Sequence, residues 1–147
     1  MHKMILMLVE DNPDDILLAQ RALKKCGMEN NVVVAHDGVE ALEYLFRSGK
    51  YADRDKTSQP TVVLMDLKMP RMNGIETLQQ IRSHNETAYL PVVILTSSSE
   101  EQDMLQSYEH GANSYIRKPV DFSRFLDVVE SLVRYWSTVN EFPLKTG

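Results

Sequence analysis

Runs of consecutive apolar residues alternate along this chain with stretches whose apolar residues recur at helical spacing. Met4 to Val9, Val32 to Ala35, Val62 to Met65 and Pro91 to Leu95 are the runs, and Asn113 to Ile116 reads as a fifth, shorter strand. Continuous Val/Leu/Ile/Met runs of this length suit strands covered on both faces. Between them lie five helical segments with their own boundary signals. Asn12-Pro13 opens the first as N-cap and first helical residue, Asp14 and Asp15 suit the helix dipole, and Gly27 stops it. Its inward residues are Ile16, Ala19 and Leu23. Asp37 and Glu40 have capping-box spacing for the second helix, with Val39, Leu42 and Phe46 as its buried stripe.

Asn73-Gly74 opens the third helix, with Ile75, Leu78 and Ile81 inward. Ser98 and Glu101 have capping-box spacing for the fourth, weakly amphipathic helix, which is expected to turn Met104, Leu105 and Tyr108 inward and to end at Gly111. Asp121 caps the fifth, whose Phe122, Phe125, Val129, Leu132 and Trp136 form a long apolar stripe. Five alternations of this kind predict an α/β fold: a doubly wound, five-stranded parallel sheet with helices on both faces. The polar stretch Ser48 to Pro60 is long for its place, and reads either as a solvated insertion or as a partner-binding loop.

Composition narrows this picture. The chain has 147 residues, enough for one domain, and a net charge of −5 without a basic cluster, so nucleic acid is not an expected partner. The single cysteine, Cys26, excludes an internal disulfide and a cysteine-based metal cage. No apolar run is long enough to span a bilayer or to serve as a secretory leader, so no membrane partner and a cytoplasmic location are expected.

The polar residues that end the strands carry the chemistry. The first strand ends in Glu10 and Asp11, the third in Asp66, the fourth in Thr96 and Ser97, and the fifth in Lys118 and Pro119. In a parallel sheet with right-handed crossovers these ends share one edge. With flavodoxin-like strand order, the first and third strands flank the crevice where ligands bind. Three carboxylates side by side require a compensating cation. Lys118 supplies one charge, and an oxygen donor set suits a hard divalent ion such as Mg²⁺. A carboxylate beside Mg²⁺ and Lys is a plausible nucleophile towards phosphorus, with Thr96 hydrogen-bonding a phosphoryl oxygen.

With Glu10-Asp11, Asp66, Thr96 and Lys118-Pro119 in this order, the chain resembles the receiver domain of two-component response regulators. Asp37-Gly38-Val39-Glu40-Ala41-Leu42, Met69-Pro70, Asn73-Gly74 and Gly111-Ala112 belong to the same resemblance. It implies a flavodoxin-like sheet of order 2-1-3-4-5 with five helices, over residues 1–136, followed by a tail at 137–147. It also implies that Asp66 accepts a phosphoryl group from a sensor histidine kinase. Asp11 and Glu10 hold Mg²⁺, completed by Asp66 and the backbone carbonyl of Lys68. Thr96 is the switch hydroxyl and Lys118 the phosphate-binding cation, with a cis bond to Pro119. Tyr115 is the aromatic that turns inward when Thr96 moves. The surface of the fourth helix, fifth strand and fifth helix, where Gln102, Gln106 and Glu109 lie, then changes.

On this reading the protein is a signalling switch, not an enzyme. Lys68 and Ser97 depart from common family choices beside the site. The long loop and the tail resemble single-domain regulators of phytochrome-type kinases, which implies a possible homodimer. Phe142 and Leu144 are expected to pack on the partner or back on the last helix, or to fray. Three alternatives compete. A phosphorylation-independent adaptor shares every residue. A flavin module needs a Gly/Ser/Thr-rich phosphate loop where Glu10-Asp11-Asn12-Pro13 stands. An aspartate phosphatase usually has an acid where Lys68 stands.

Overall fold

The computed structural model describes residues 4–55 and 59–143. Its strands are β1 (Leu6–Val9), β2 (Val32–Ala35), β3 (Val62–Met65), β4 (Val92–Thr96) and β5 (Ser114–Arg117). They alternate with α1 (Pro13–Lys25), α2 (Gly38–Phe46), α3 (Gly74–Ser83), α4 (Glu101–Glu109) and α5 (Phe122–Arg134). Every pairing is parallel, as the alternation predicts, and the sheet order is β2-β1-β3-β4-β5, as the family resemblance implies.

Strand geometry divides the core. Successive side chains point to opposite faces, so Leu6 and Leu8 join the apolar cluster under α1 and α5, while Met7 and Val9 join the one under α2 and α3. All residues of β1, β3 and β4 are buried, which accounts for their unbroken apolar runs. Phe125, Val129, Leu132 and Trp136 seal the α5 side.

Two helix faces differ from the expected ones. In α2 the buried residues include Ala41, Tyr44 and Leu45, while Val39, Leu42 and Phe46 are only half-buried. The helix is turned because Gly38 is pressed against its neighbours. A Cβ there would lie 1.9 Å from the Thr77 hydroxyl and 2.9 Å from the Met72 carbonyl. In α4, Met104, Leu105 and Tyr108 face solvent, and Ser107 is the helix's buried residue. Its hydroxyl is satisfied by donating to the Asp103 carbonyl at 2.8 Å, so a polar side chain can occupy the contact face.

The caps also differ in detail. Asn73 and Glu76 form a reciprocal box at α3. At α2, Asp37 accepts from the Glu40 amide, but the Glu40 carboxylate turns instead to the His36 amide, the Tyr51 hydroxyl and the Lys50 ammonium. At α4 the N-cap is Glu100, without a side-chain bond. The Ser98 hydroxyl donates to Asp103 at 2.6 Å and accepts from the Glu100 amide, so the expected Ser98–Glu101 box does not form.

The loop before β3 is tied down at its start. Gly49–Tyr51 forms a short 3-10 turn whose tyrosine ring packs edge-on against Tyr44. Residues 56–58 of that loop lie outside the described residues, as does Leu144. Beyond α5 a π-helical turn, Tyr135–Val139, carries the chain past Trp136. Asn140 to Pro143 then share a shallow groove with Arg82, Tyr89 and Pro91, with Phe142 partly exposed.

Candidate phosphoacceptor site

The site is assembled by register. Val9 lies opposite both Ala35 and Met65, so β1, β2 and β3 run out at one level. The next residues, Glu10 and Asp66, continue the ladder: the Glu10 amide donates to Ala35, and the Asp66 amide to Val9. Asn12 then turns the chain by accepting from the Asp14 and Asp15 amides, and Pro13 starts α1 without needing a donor. On the β3 side the Leu67 amide donates to the Asp66 carboxylate at 2.7 Å, fixing that side chain at the sheet edge. Gly74 lets α3 start close behind it, since a Cβ there would sit 2.5 Å from the Asp66 carbonyl oxygen.

Glu10, Asp11 and Asp66 each present an oxygen within 4.8 Å of the others'. Glu10 and Asp66 are buried and Asp11 is exposed, so the cluster opens outward through Asp11. Lys118 crosses it from the end of β5. Its ammonium donates to Glu10 at 2.5 Å, to Asp15 at 3.0 Å and to Asp66 at 3.3 Å. Its own amide donates to the Thr96 carbonyl at 2.8 Å, which aligns the ends of β4 and β5.

The electrostatics follow from this crowding. Burial pushes the Glu10 carboxyl above its ordinary value and the Asp66 charge adds to the rise, against the hydrogen bond from Lys118. For Lys118, burial works against the charged form, but the bond to Glu10 and the charge of Asp66 outweigh it and raise its pKa. Three carboxylates against one strongly held ammonium leave the edge short of positive charge. The donors are all hard oxygens, and this combination fits a divalent cation of the Mg²⁺ or Mn²⁺ type.

Thr96 is buried, with its hydroxyl oxygen accepting from the Ser98 amide at 3.3 Å, and Ser97 is exposed. The Tyr115 hydroxyl donates to the Ser98 carbonyl at 3.1 Å, and the Tyr115 amide donates to the Tyr108 hydroxyl. Ser98 therefore links the loop after Thr96 to Tyr115. Lys68 is exposed, two residues beyond Asp66.

The Lys118–Pro119 bond is trans: no cis peptide occurs among the described residues, contrary to the expected cis bond. The long lysine side chain reaches the acidic cluster from the trans backbone, so the isomer is not needed to aim it. Sequence reasoning also missed Asp15, which it assigned to the helix dipole. Its position four residues after Asp11, in the first turn of a helix leaving the sheet edge, is the signal that points it at Lys118.

Comparison with known proteins agrees with this geometry. The response regulator receiver domain model matches residues 6–130, and the chain belongs to that family. Among curated relatives it is 34% identical to the probable methanogenesis regulatory protein FilR2 of Methanothrix harundinacea, over 95% of this chain and 87% of that protein. It is 30% identical to the response regulator Rcp1 of Synechocystis, over 90% and 88%.

Solved structures similar to it include response regulators of phytochromes. The phosphorylated cyanobacterial phytochrome response regulator RcpA superposes with a TM-score of 0.88 at 34% identity, covering 97% of this chain and 100% of that one. The bacteriophytochrome response regulator AtBRR gives 0.76 at 45% identity, covering 96% and 100%. A Mn²⁺-bound form of Rcp1 gives 0.85 at 29% identity, covering 97% and 100%.

Proposed function

We propose that this receiver accepts a phosphoryl group on Asp66 from a phosphohistidine of a sensor histidine kinase. The observation that carries the reading is the gathering of Glu10, Asp11, Asp66 and Lys118 at one sheet edge, with the Thr96 hydroxyl at the end of the neighbouring strand. In the transfer an Asp66 oxygen forms a bond to phosphorus as the P–N bond of the donor imidazole breaks, and the imidazole keeps the bonding pair. Lys118 pairs with one phosphoryl oxygen and Thr96 donates a hydrogen bond to another. Asp11 and Asp66, with Glu10 and the Lys68 carbonyl, would hold Mg²⁺, which supplies charge neutralisation for the remaining oxygens. The protein is acceptor and switch, and no enzymatic turnover of its own is assigned to it.

Drawing Thr96 towards a phosphoryl group breaks its bond to the Ser98 amide and frees the loop that Tyr115 now holds. The consequence is a shift of population at the α4-β5-α5 surface. The names of RcpA and AtBRR, a cyanobacterial phytochrome response regulator and a bacteriophytochrome response regulator, support a phytochrome-type kinase as the donor. Exposed Met104, Leu105 and Tyr108 support a homodimer through α4-β5-α5. The test is labelling with acetyl phosphate. The expected product is a Mg²⁺-dependent, acid-stable, base-labile phosphoprotein that Asp66→Asn abolishes. Equal labelling of Asp66→Asn, or none of the intact protein, refutes the reading.

A further inference from the structure

We infer that Asp15 is a positioning residue that competes with the incoming phosphoryl group for Lys118. The inference rests on the acceptor reading above and assigns a new participant to that site. Asp15 owes its place to local structure: Asn12 caps α1 through the Asp14 and Asp15 amides, Pro13 sets the first turn, and Asp15 is aimed back at the sheet edge. Its carboxylate takes the Lys118 ammonium at 3.0 Å, closer than Asp66 does at 3.3 Å. The lysine side chain is 13% exposed, whereas that of Asp15 is 37% exposed, so Asp15 stands at the mouth and Asp66 deeper in.

An ammonium has three protons to donate. In this structure all three have an acceptor: Glu10, Asp15 and Asp66. An arriving phosphoryl oxygen therefore has to displace one of them. Glu10 is buried and cannot be resolvated in place, and Asp66 gives up its share of the ammonium only as its oxygen bonds to phosphorus, after the donor has arrived. Asp15, bordering solvent, is the partner that can let go and hydrate. It also holds a negative charge on the approach path of an anionic donor. Asp15 thus raises the donor concentration needed to charge Asp66, without taking part in bond making. Asp14 shares the helix turn and the charge sign but is not among the ion-pair partners of Lys118, and serves as the internal control.

The experiment measures labelling of the full chain against acetyl phosphate concentration, with saturating Mg²⁺, for wild type, Asp15→Asn, Asp15→Glu and Asp14→Asn. In Asp15→Asn the half-saturating donor concentration is expected to fall roughly three- to tenfold, the effect of removing one partly screened charge beside the site. The maximal rate stays within twofold, and Asp15→Glu and Asp14→Asn stay near wild type. Affinity for beryllofluoride, a phosphoryl mimic followed by ¹⁹F NMR, is expected to rise in the same order without any transfer step. An unchanged or higher half-saturation in Asp15→Asn, or an equal fall in Asp14→Asn, overturns the inference and leaves the acceptor reading standing. A wild type that is not labelled at Asp66 overturns both.

Discussion

Replacing Asp66 by Asn is expected to stabilise the metal-free protein by about 1–2 kcal/mol while abolishing its chemistry. Two like charges at the 4.8 Å that bounds the acidic cluster repel by about 3.5 kcal/mol at an effective dielectric of about 20. Asp66 faces two of them, Glu10 and Asp11. Its attraction to the Lys118 ammonium at 3.3 Å returns about 5 kcal/mol on the same scale. Asp11 is exposed, so water screens its share, while the cost of burying an ionised Asp66 adds to the debit. Asn keeps the side-chain oxygen that accepts from the Leu67 amide, so the change removes charge and little else.

The assay is urea unfolding at neutral pH and low salt, in the presence of a chelator. The gap between variant and wild type should shrink in molar salt, where charges are screened within about 3 Å. Saturating Mg²⁺ should reverse the order. At a hundred times its dissociation constant it stabilises the wild type by about 2.7 kcal/mol, and the variant by much less. A metal-free Asp66→Asn protein less stable than wild type would refute the claim that these carboxylates are crowded in excess of what Lys118 offsets.

Three further outcomes are expected. Glu40 is held at about 2, because its bonds from Lys50, His36 and Tyr51 outweigh the upward push of burial. A depressed carboxyl contributes stability above its ordinary value of 4.5 that is lost as pH falls towards 2. Acid unfolding of Glu40→Gln should therefore lack the steep loss of stability that wild type shows in that window. Gly74→Ala should cost about 1–3 kcal/mol despite the better helix former, because its Cβ would lie 2.5 Å from the Asp66 carbonyl; chemical denaturation and Mg²⁺ titration should both report it. Amide hydrogen exchange should be faster in α4 than in α5, since α4 buries only Ser107 whereas α5 buries Phe125, Val129 and Leu132. Ser98→Ala should speed it further.

The strands and the acids at their ends were legible because each run of apolar residues stops at a polar residue, and parallel pairing brings those stops to one edge; the strand order rested on the family resemblance. Glu10, Asp11, Asp66 and Lys118 do meet there, although 108 positions separate Glu10 from Lys118. What periodicity alone misjudged was the rotation of two helices. In α2 the fit of Gly38 against Thr77 and Met72 sets the angle, and nothing in the helix's own spacing encodes that contact. In α4 an apolar stripe faces water and a serine faces the protein, because the hydroxyl can be satisfied within its own helix. Asp15 was read as a helix-dipole acid, which it also is. Its ion pair spans 103 positions and depends on how far the lysine reaches. The trans bond before Pro119 shows that this reach does not depend on an unusual backbone.

The in-step pairing of β1 with β3 acts as a ruler for the chemistry. One residue added to or lost from either strand would turn its final carboxylate to the opposite side of the sheet, and no repositioning of side chains could recover it. Insertions and deletions in these two four-residue segments should therefore be far less tolerated than point changes, and a lineage that acquired one would keep the scaffold but lose the ability to carry a signal.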